Sequence, residues 1–133
     1  MNLYIADDNV EFAEFCAEVA TLEGWHVKTC HDGSELLEAL KMVTEPALIL
    51  CDITMPEVDG IEVIKTLSDP EGLFRIRFIT GGLMTNAVAA RLIGDARDIN
   101  VGRFLVKPVS LADLRAVFVE EAENLRNMAS TKG

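Results

Sequence analysis

No stretch of this chain approaches the ~20 consecutive apolar residues that span a bilayer. The N-terminus MNLYIADD also lacks the basic flank of a secretory signal. A cytoplasmic protein with no membrane insertion is therefore expected. Basic residues are in the minority, 12 Lys plus Arg against 22 Asp plus Glu for a net charge of −10. That disfavours direct nucleic-acid binding, which draws on cations to displace counterions. Cysteine is scarce: Cys16, Cys30 and Cys51 form an odd set without metal-ligand spacing, and each reads as a reduced structural residue in an apolar or alternating segment. His26 and His31 flank Cys30, but no second cluster completes a zinc site. Repeats, low-complexity tracts and linkers are absent, so the 133 residues read as one domain over 1–128 with a frayed tail at 129–133.

What is present is an alternation of strand and helix periods. LYIA reads as a short buried strand, followed by a helix with Phe12, Cys16, Val19 and Leu22 at helical spacing and Gly24 as its stop. WHVKTC alternates like an edge strand, and Ser34 is placed to cap a helix carrying Leu36, Leu37, Leu40 and Val43. ALILC is continuously apolar, as expected of a central parallel strand covered on both faces. Asp59 and Gly60 turn the chain into a short helix, RIRFIT forms the fourth strand, and a helix starts near Thr85. RFLVKP is the fifth strand. Ser110 opens the last helix, with Leu111, Leu114, Val117, Phe118, Ala122 and Leu125 as its buried stripe. Five strand–helix units in series predict an α/β fold, a doubly wound parallel sheet with helices on both faces.

In such sheets the carboxyl ends of the strands line the ligand crevice. Asp7 and Asp8 end the first strand, Asp52 the third, Thr80 the fourth and Lys107 the fifth, so all five converge at one edge. Carboxylates gathered there repel one another, and a hard divalent cation that keeps water positions, as magnesium does, resolves the conflict. Lys107 adds positive charge and Thr80 a hydroxyl donor. The set suits attack by an aspartate on phosphorus to give an acyl phosphate.

These residues resemble the receiver domain of bacterial two-component response regulators over essentially the whole chain: ADD, CDITMPEVDG, FITGG and FLVKP stand in the order and at the strand ends that the family uses. The resemblance implies a flavodoxin-like five-stranded sheet in the order 2-1-3-4-5. It also implies Asp52 as phosphoacceptor, Lys107 and Thr80 as its catalytic partners, and Thr80 with Phe104 as switch residues. Mg2+ is expected on Asp8, Asp52 and the Thr54 backbone carbonyl, with Asp7 helping through water. Implied partners are a histidine kinase or histidine phosphotransfer protein, a downstream protein target and, as an open alternative, a homodimer. The expected role is that of a stand-alone phosphoacceptor signalling domain rather than an enzyme with turnover; a fragment of a hybrid histidine kinase is the variant reading.

Two other classes compete. CDIT resembles the aspartate-x-aspartate-x-threonine motif of haloacid-dehalogenase-like phosphatases, but Thr54 stands where their general acid is needed, and the aspartate ends the third strand instead of the first. A flavodoxin-like cofactor module would need a phosphate-cradling loop where ADDNVEF presents carboxylates. The stretch from Thr80 to Lys107 exceeds that of compact receivers by roughly a helical turn. Arg75 and Arg77 are unusual in a strand expected to be buried, and either an exposed strand start or a partner contact accounts for them equally well.

Overall fold

A computed structural model describes residues 1–82 and 84–132. In chain order the elements are β1 (Asn2–Ala6), α1 (Val10–Leu22), β2 (His26–Cys30), α2 (Gly33–Leu40), β3 (Ala47–Asp52) and α3 (Gly60–Thr66). They continue with β4 (Phe74–Thr80), α4 (Met84–Ala96), β5 (Asn100–Val101), β6 (Leu105–Val106) and α5 (Leu111–Lys132). The sheet is parallel throughout and runs β2-β1-β3-β4, with β5 and β6 both paired to the outer edge of β4. This is the expected doubly wound order 2-1-3-4-5, with the fifth position filled by two short segments rather than one strand.

Period-two alternation along the central strands divides the core into two layers. Ile49, Cys51, Ile76 and Phe78 face Leu36, Leu40, Val63, Ile64 and Ala90 on one side of the sheet. Leu3, Ile5, Leu48, Leu50 and Ile79 face Cys16, Val19, Phe118 and Leu125 on the other. All six residues of β3 are buried, which explains its unbroken apolar run. Trp25 closes the second layer against Phe118, ring centroids 5.9 Å apart.

Polar groups at the helix ends fix where each begins. Asn9, Asp32 and Asp59 accept from the amides of Phe12, Glu35 and Glu62, so the α2 cap is Asp32 and not Ser34, which lies inside the first turn. Ser110 accepts from the Asp113 amide as expected. The carbonyls of Ile64 and Leu67 at the end of α3 take hydrogen bonds of 2.7 and 2.8 Å from Arg97, a cation where the helix dipole favours one. Leu111 is exposed, unlike the rest of the predicted α5 stripe, and α5 continues through residues 129–132, where fraying was expected.

The fifth position of the sheet is broken for a reason that also settles Arg75 and Arg77. Both side chains project from β4 onto α5, where Glu121 is fully buried: its carboxylate lies 2.8 Å from Arg75 Nε and 3.1 Å from Arg77 Nη1. Asn124 donates to the same carboxylate, and Asn100 accepts from Arg75. Arg77 Nε also donates to the Arg103 carbonyl, in the stretch where the ladder is interrupted between β5 and β6. A Cβ at residue 102 would lie 2.6 Å from Arg75 Nη2 and 2.7 Å from Arg77 Cδ, so only glycine lets the two side chains pass.

Removing Glu121 would strand two guanidinium groups in the interior, where an uncompensated charge is costly. Glu121→Ala should lower unfolding free energy in urea by about 3–5 kcal/mol. Glu123→Ala, which breaks only an exposed pair with Arg126, should cost under about 1 kcal/mol. Equal losses for the two variants would remove the buried pair from the account of stability.

Candidate functional site

The parallel register of β1 with β3 sets Ala6 beside Cys51, so the residues that follow, Asp7 and Asp52, emerge at the same level. Asp7 is held by its own backbone, its amide donating to the Cys30 carbonyl at 3.1 Å, while its Oδ1 accepts from the Asn9 amide at 2.9 Å. Asp52 is fixed from behind. The Ile53 amide bonds to the Ile79 carbonyl and the Gly60 amide to the Ile53 carbonyl, each at 2.9 Å. A Cβ at residue 60 would meet the Asp52 carbonyl at 2.9 Å, so the Asp59–Gly60 pair lets α3 start hard against the strand end.

From the far side, β6 delivers Lys107, whose amide donates to the Thr80 carbonyl at 2.9 Å. The Lys107–Pro108 peptide is cis. Lys107 Nζ stands 2.9 Å from Asp7 Oδ2 and 3.2 Å from Asp52 Oδ2. The contact with Asp7 is close in charge but off the angle of a hydrogen bond, leaving the buried Oδ2 without a hydrogen-bond partner among the described residues. Burial by itself would lower the Lys107 pKa, but the Asp7 and Asp52 carboxylates outweigh it and hold the ammonium above its ordinary range.

Asp7, Asp8 and Asp52 can each offer one oxygen within 4.8 Å of the others, Asp8 being exposed and the other two buried. The donor set is all oxygen, one buried acceptor is unsatisfied and one face is open, a combination that fits a hard divalent cation. Beside it lies a cavity of about 370 Å³ lined by Asp52, Ile53, Thr54, Thr80, Gly81, Gly82, Asn86 and Lys107. The Thr54 amide donates to Asp52 Oδ1 at 3.1 Å, and Thr80, buried at the end of β4, accepts at Oγ1 from the Gly82 amide. Six of the seven predicted site residues thus meet at this edge. Phe104 does not reach it and packs half-buried against the core layer under α3 and α4.

Sequence reasoning missed two members of the neighbourhood. Phe12, read only as an apolar helix position, has its ring centroid 4.6 Å from Lys107 Nζ. Asn86, in the first turn of α4, carried no motif. The three thiols are free and buried, as the sequence suggests. Burial is the main cause that pushes Cys16 up to about 12 and Cys30 to about 11 and raises Cys51 further, so none is a nucleophile.

Asp52 is raised from 3.8 to about 6, first by burial and then by the charge of Asp7; the Thr54 amide and Lys107 pull the other way without cancelling these. A carboxyl that holds its proton more tightly when folded stabilises the fold at low pH and loses that contribution as pH rises through its folded pKa. Asp52→Asn should therefore be more stable than the wild type at pH 7.5 by on the order of 1 kcal/mol. The gain should shrink toward zero near pH 4. Urea unfolding at both pH values checks this, and a gain that grows on acidification would contradict it.

A family model described as the response regulator receiver domain matches residues 3–119. The response regulator receiver protein CpdR of Brucella abortus is 36% identical over 114 residues, which cover 84% of this chain and 88% of that protein. The transcriptional regulatory protein TrcR of Mycobacterium tuberculosis is 27% identical over 87% of this chain, which spans only 43% of TrcR. Among solved structures, a CheY-like receiver domain protein from Methanospirillum hungatei JF-1 superposes with a TM-score of 0.79 at 20% identity, covering 98% of this chain and 97% of the other. The receiver domain of a putative Luxo repressor protein from Vibrio parahaemolyticus gives 0.82 at 16% identity over 99% and 97%. The structural likenesses carry the fold, and the family match adds the lineage: this chain belongs to the response regulator receiver domain family of two-component signalling.

Proposed function

We propose that Asp52 is the phosphoacceptor of this signalling domain and takes its phosphoryl group from a histidine kinase or a histidine phosphotransfer protein. The observation that carries the reading is a buried aspartate at a strand end, 3.2 Å from a lysine ammonium and grouped with two further carboxylates, beside an open cavity. An Asp52 oxygen attacks phosphorus, the bond from phosphorus to the donor imidazole nitrogen breaks, and its electron pair stays with that nitrogen. Asp8, Asp52 and the Thr54 carbonyl would hold Mg2+, with Asp7 acting through water; the ion supplies charge neutralisation where carboxylate meets phosphate. Lys107 offers its ammonium to the incoming phosphoryl oxygens and leaves Asp52 Oδ2 to do so.

Thr80 then acts as the switch. Its hydroxyl donates to a phosphoryl oxygen, and the shift frees space for Phe104 to move inward, changing the surface made by α4, the fifth position of the sheet and α5. A downstream protein, or a second copy of the chain, reads that surface. None of the described helices is long and apolar enough to cross a membrane. The phosphatase alternative finds no support, because Thr54 brings an amide hydrogen bond to Asp52 and no acid that could protonate a leaving group.

Incubation with acetyl phosphate and Mg2+ should raise the intact mass by one phosphoryl group. Chelation or Asp52→Asn should abolish the gain, and equal labelling of the Asn variant would refute the assignment. The switch has its own test. A hydrogen bond to an ionised group is worth ~1.5–3 kcal/mol, enough to move a two-state equilibrium about tenfold or more. Thr80→Ala should still be phosphorylated, yet lose most of the phosphorylation-dependent change in amide exchange around Phe104 and residues Thr85 to Asp98. A full wild-type response at equal occupancy would show that Thr80 is not the coupling residue.

A further inference from the structure

We infer that Phe12 is a positioning residue for Lys107, its ring serving as the platform that keeps the ammonium aimed at the phosphoryl site. The inference rests on the assignment of Asp52 as phosphoacceptor. Around the ammonium stand Asp7 Oδ2 at 2.9 Å, Asp52 Oδ2 at 3.2 Å and the Phe12 ring centroid at 4.6 Å. That last distance is within the range in which a cation is drawn to the negative face of an aromatic ring, the more strongly where water is partly excluded. Lys107 is such a case, with its side chain only 23% exposed.

The ring is not placed there by chance packing alone. Asp7 Oδ1 accepts from the Asn9 amide, and Asn9 Oδ1 accepts from the Phe12 amide at 3.1 Å. Two hydrogen bonds in series therefore tie the first turn of α1 to the carboxylate that shares Lys107 with it. Cys16, one turn further along the same face, is buried and feels the charges of Asp7 and Lys107. Of the α1 side chains facing the lysine, Phe12 is the one that brings a π face; leucine would fill similar space against the core without it.

The three contacts differ in what happens to them during the reaction. A divalent cation held by Asp8 and Asp52, with Asp7 reached through water, would lower the negative potential these carboxylates offer Lys107, and once Asp52 is an acyl phosphate its own oxygen is no longer a full anion and the charge lies on the phosphoryl oxygens. Such a cation would also repel the ammonium. The ring carries no charge, binds no metal and takes no part in bond making, so its attraction for an ammonium over its face does not depend on the charge state of Asp52. Without it, the flexible lysine stem is freer to swing into solvent at the moment its charge is needed beside phosphorus.

The test pairs kinetics with a spectroscopic signature. Phe12→Leu should lower the rate of Asp52 phosphorylation by acetyl phosphate by about threefold to tenfold. Mg2+ affinity by calorimetry should stay within about twofold of wild type, since the variant touches no carboxylate. Phe12→Tyr, which keeps an aromatic face, should restore the rate. In wild type the Lys107 Hε resonances, assigned by comparison with Lys107→Arg, should be shifted upfield by the ring current; the shift should vanish in Phe12→Leu and return in Phe12→Tyr. A Leu variant that reacts at the wild-type rate, or wild-type Lys107 Hε resonances at their free positions, overturns the proposal. Wild-type protein that gains no phosphoryl group overturns the reading of Asp52 itself, and the positioning role falls with it.

Discussion

Two aspartates end neighbouring parallel strands, both buried, and one ammonium stands between them. Carboxylate oxygens within 4.8 Å of each other repel by about 3 kcal/mol at an effective dielectric near 20. The pair is tolerable because Lys107 reaches it from the other side of β4. The order of the sheet is what makes this possible: β1 beside β3 brings Asp7 and Asp52 level, and β6 beyond β4 supplies the cation. The phosphoryl chemistry proposed for this edge would thus draw on a conflict that the topology creates and only partly relieves.

The interior holds a second group of charges, and the contrast between the two is instructive. Around Glu121 every strong acceptor is used: Oε1 takes bonds from Arg75, Arg77 and Asn124, and Oε2 takes one from Arg75. That network is closed and saturated, as a structural cluster must be if it is not to destabilise the fold. The Asp7–Asp52–Lys107 group leaves one buried oxygen without a hydrogen bond among the described residues, keeps one carboxyl pushed up to about 6 and faces a cavity. Burial and charge are common to both. Incompleteness is what separates a site that can receive a ligand from one that has finished binding its own residues.

Most of this was legible in the amino-acid order because the signals are local or periodic. The unbroken run ALILC, the DG and GG turns and the charged residues at strand ends depend on strand order alone to meet, and βαβ handedness supplies that order. The Arg75–Arg77–Glu121 cluster was not legible, since it joins residues more than forty apart whose types, read singly, suggest solvent. Periodicity could only place the arginines on β4; it could not say that a glutamate on the inner face of α5 awaited them. The split of the fifth strand was hidden for the same reason, as the Arg77 grip on the Arg103 carbonyl lies in the gap between its two segments and no breaker is visible within RFLVKP. Phe12 escaped because an aromatic at a helix a/d-like position reads as core whether or not a cation lies over its face.

The split strand has a mechanical consequence for the proposed switch. Arg103, immediately before Phe104, is held by Arg77, and Lys107, three residues after it, is held by the Thr80 carbonyl. The backbone on both sides of Phe104 is thereby anchored to β4, one anchor leading to the sealed Glu121 cluster and the other to the reactive edge. A large displacement of this segment would break a buried ion network, whereas a rotation of the half-buried Phe104 side chain breaks neither anchor. In the proposed switch, signal would therefore pass through this region chiefly by side-chain repacking between Thr80, Phe104 and α4, with little displacement of the segment as a whole. Arg77 and Glu121, remote from Asp52, would supply that switch with the rigidity that converts a small movement of the Thr80 hydroxyl into a defined change of surface.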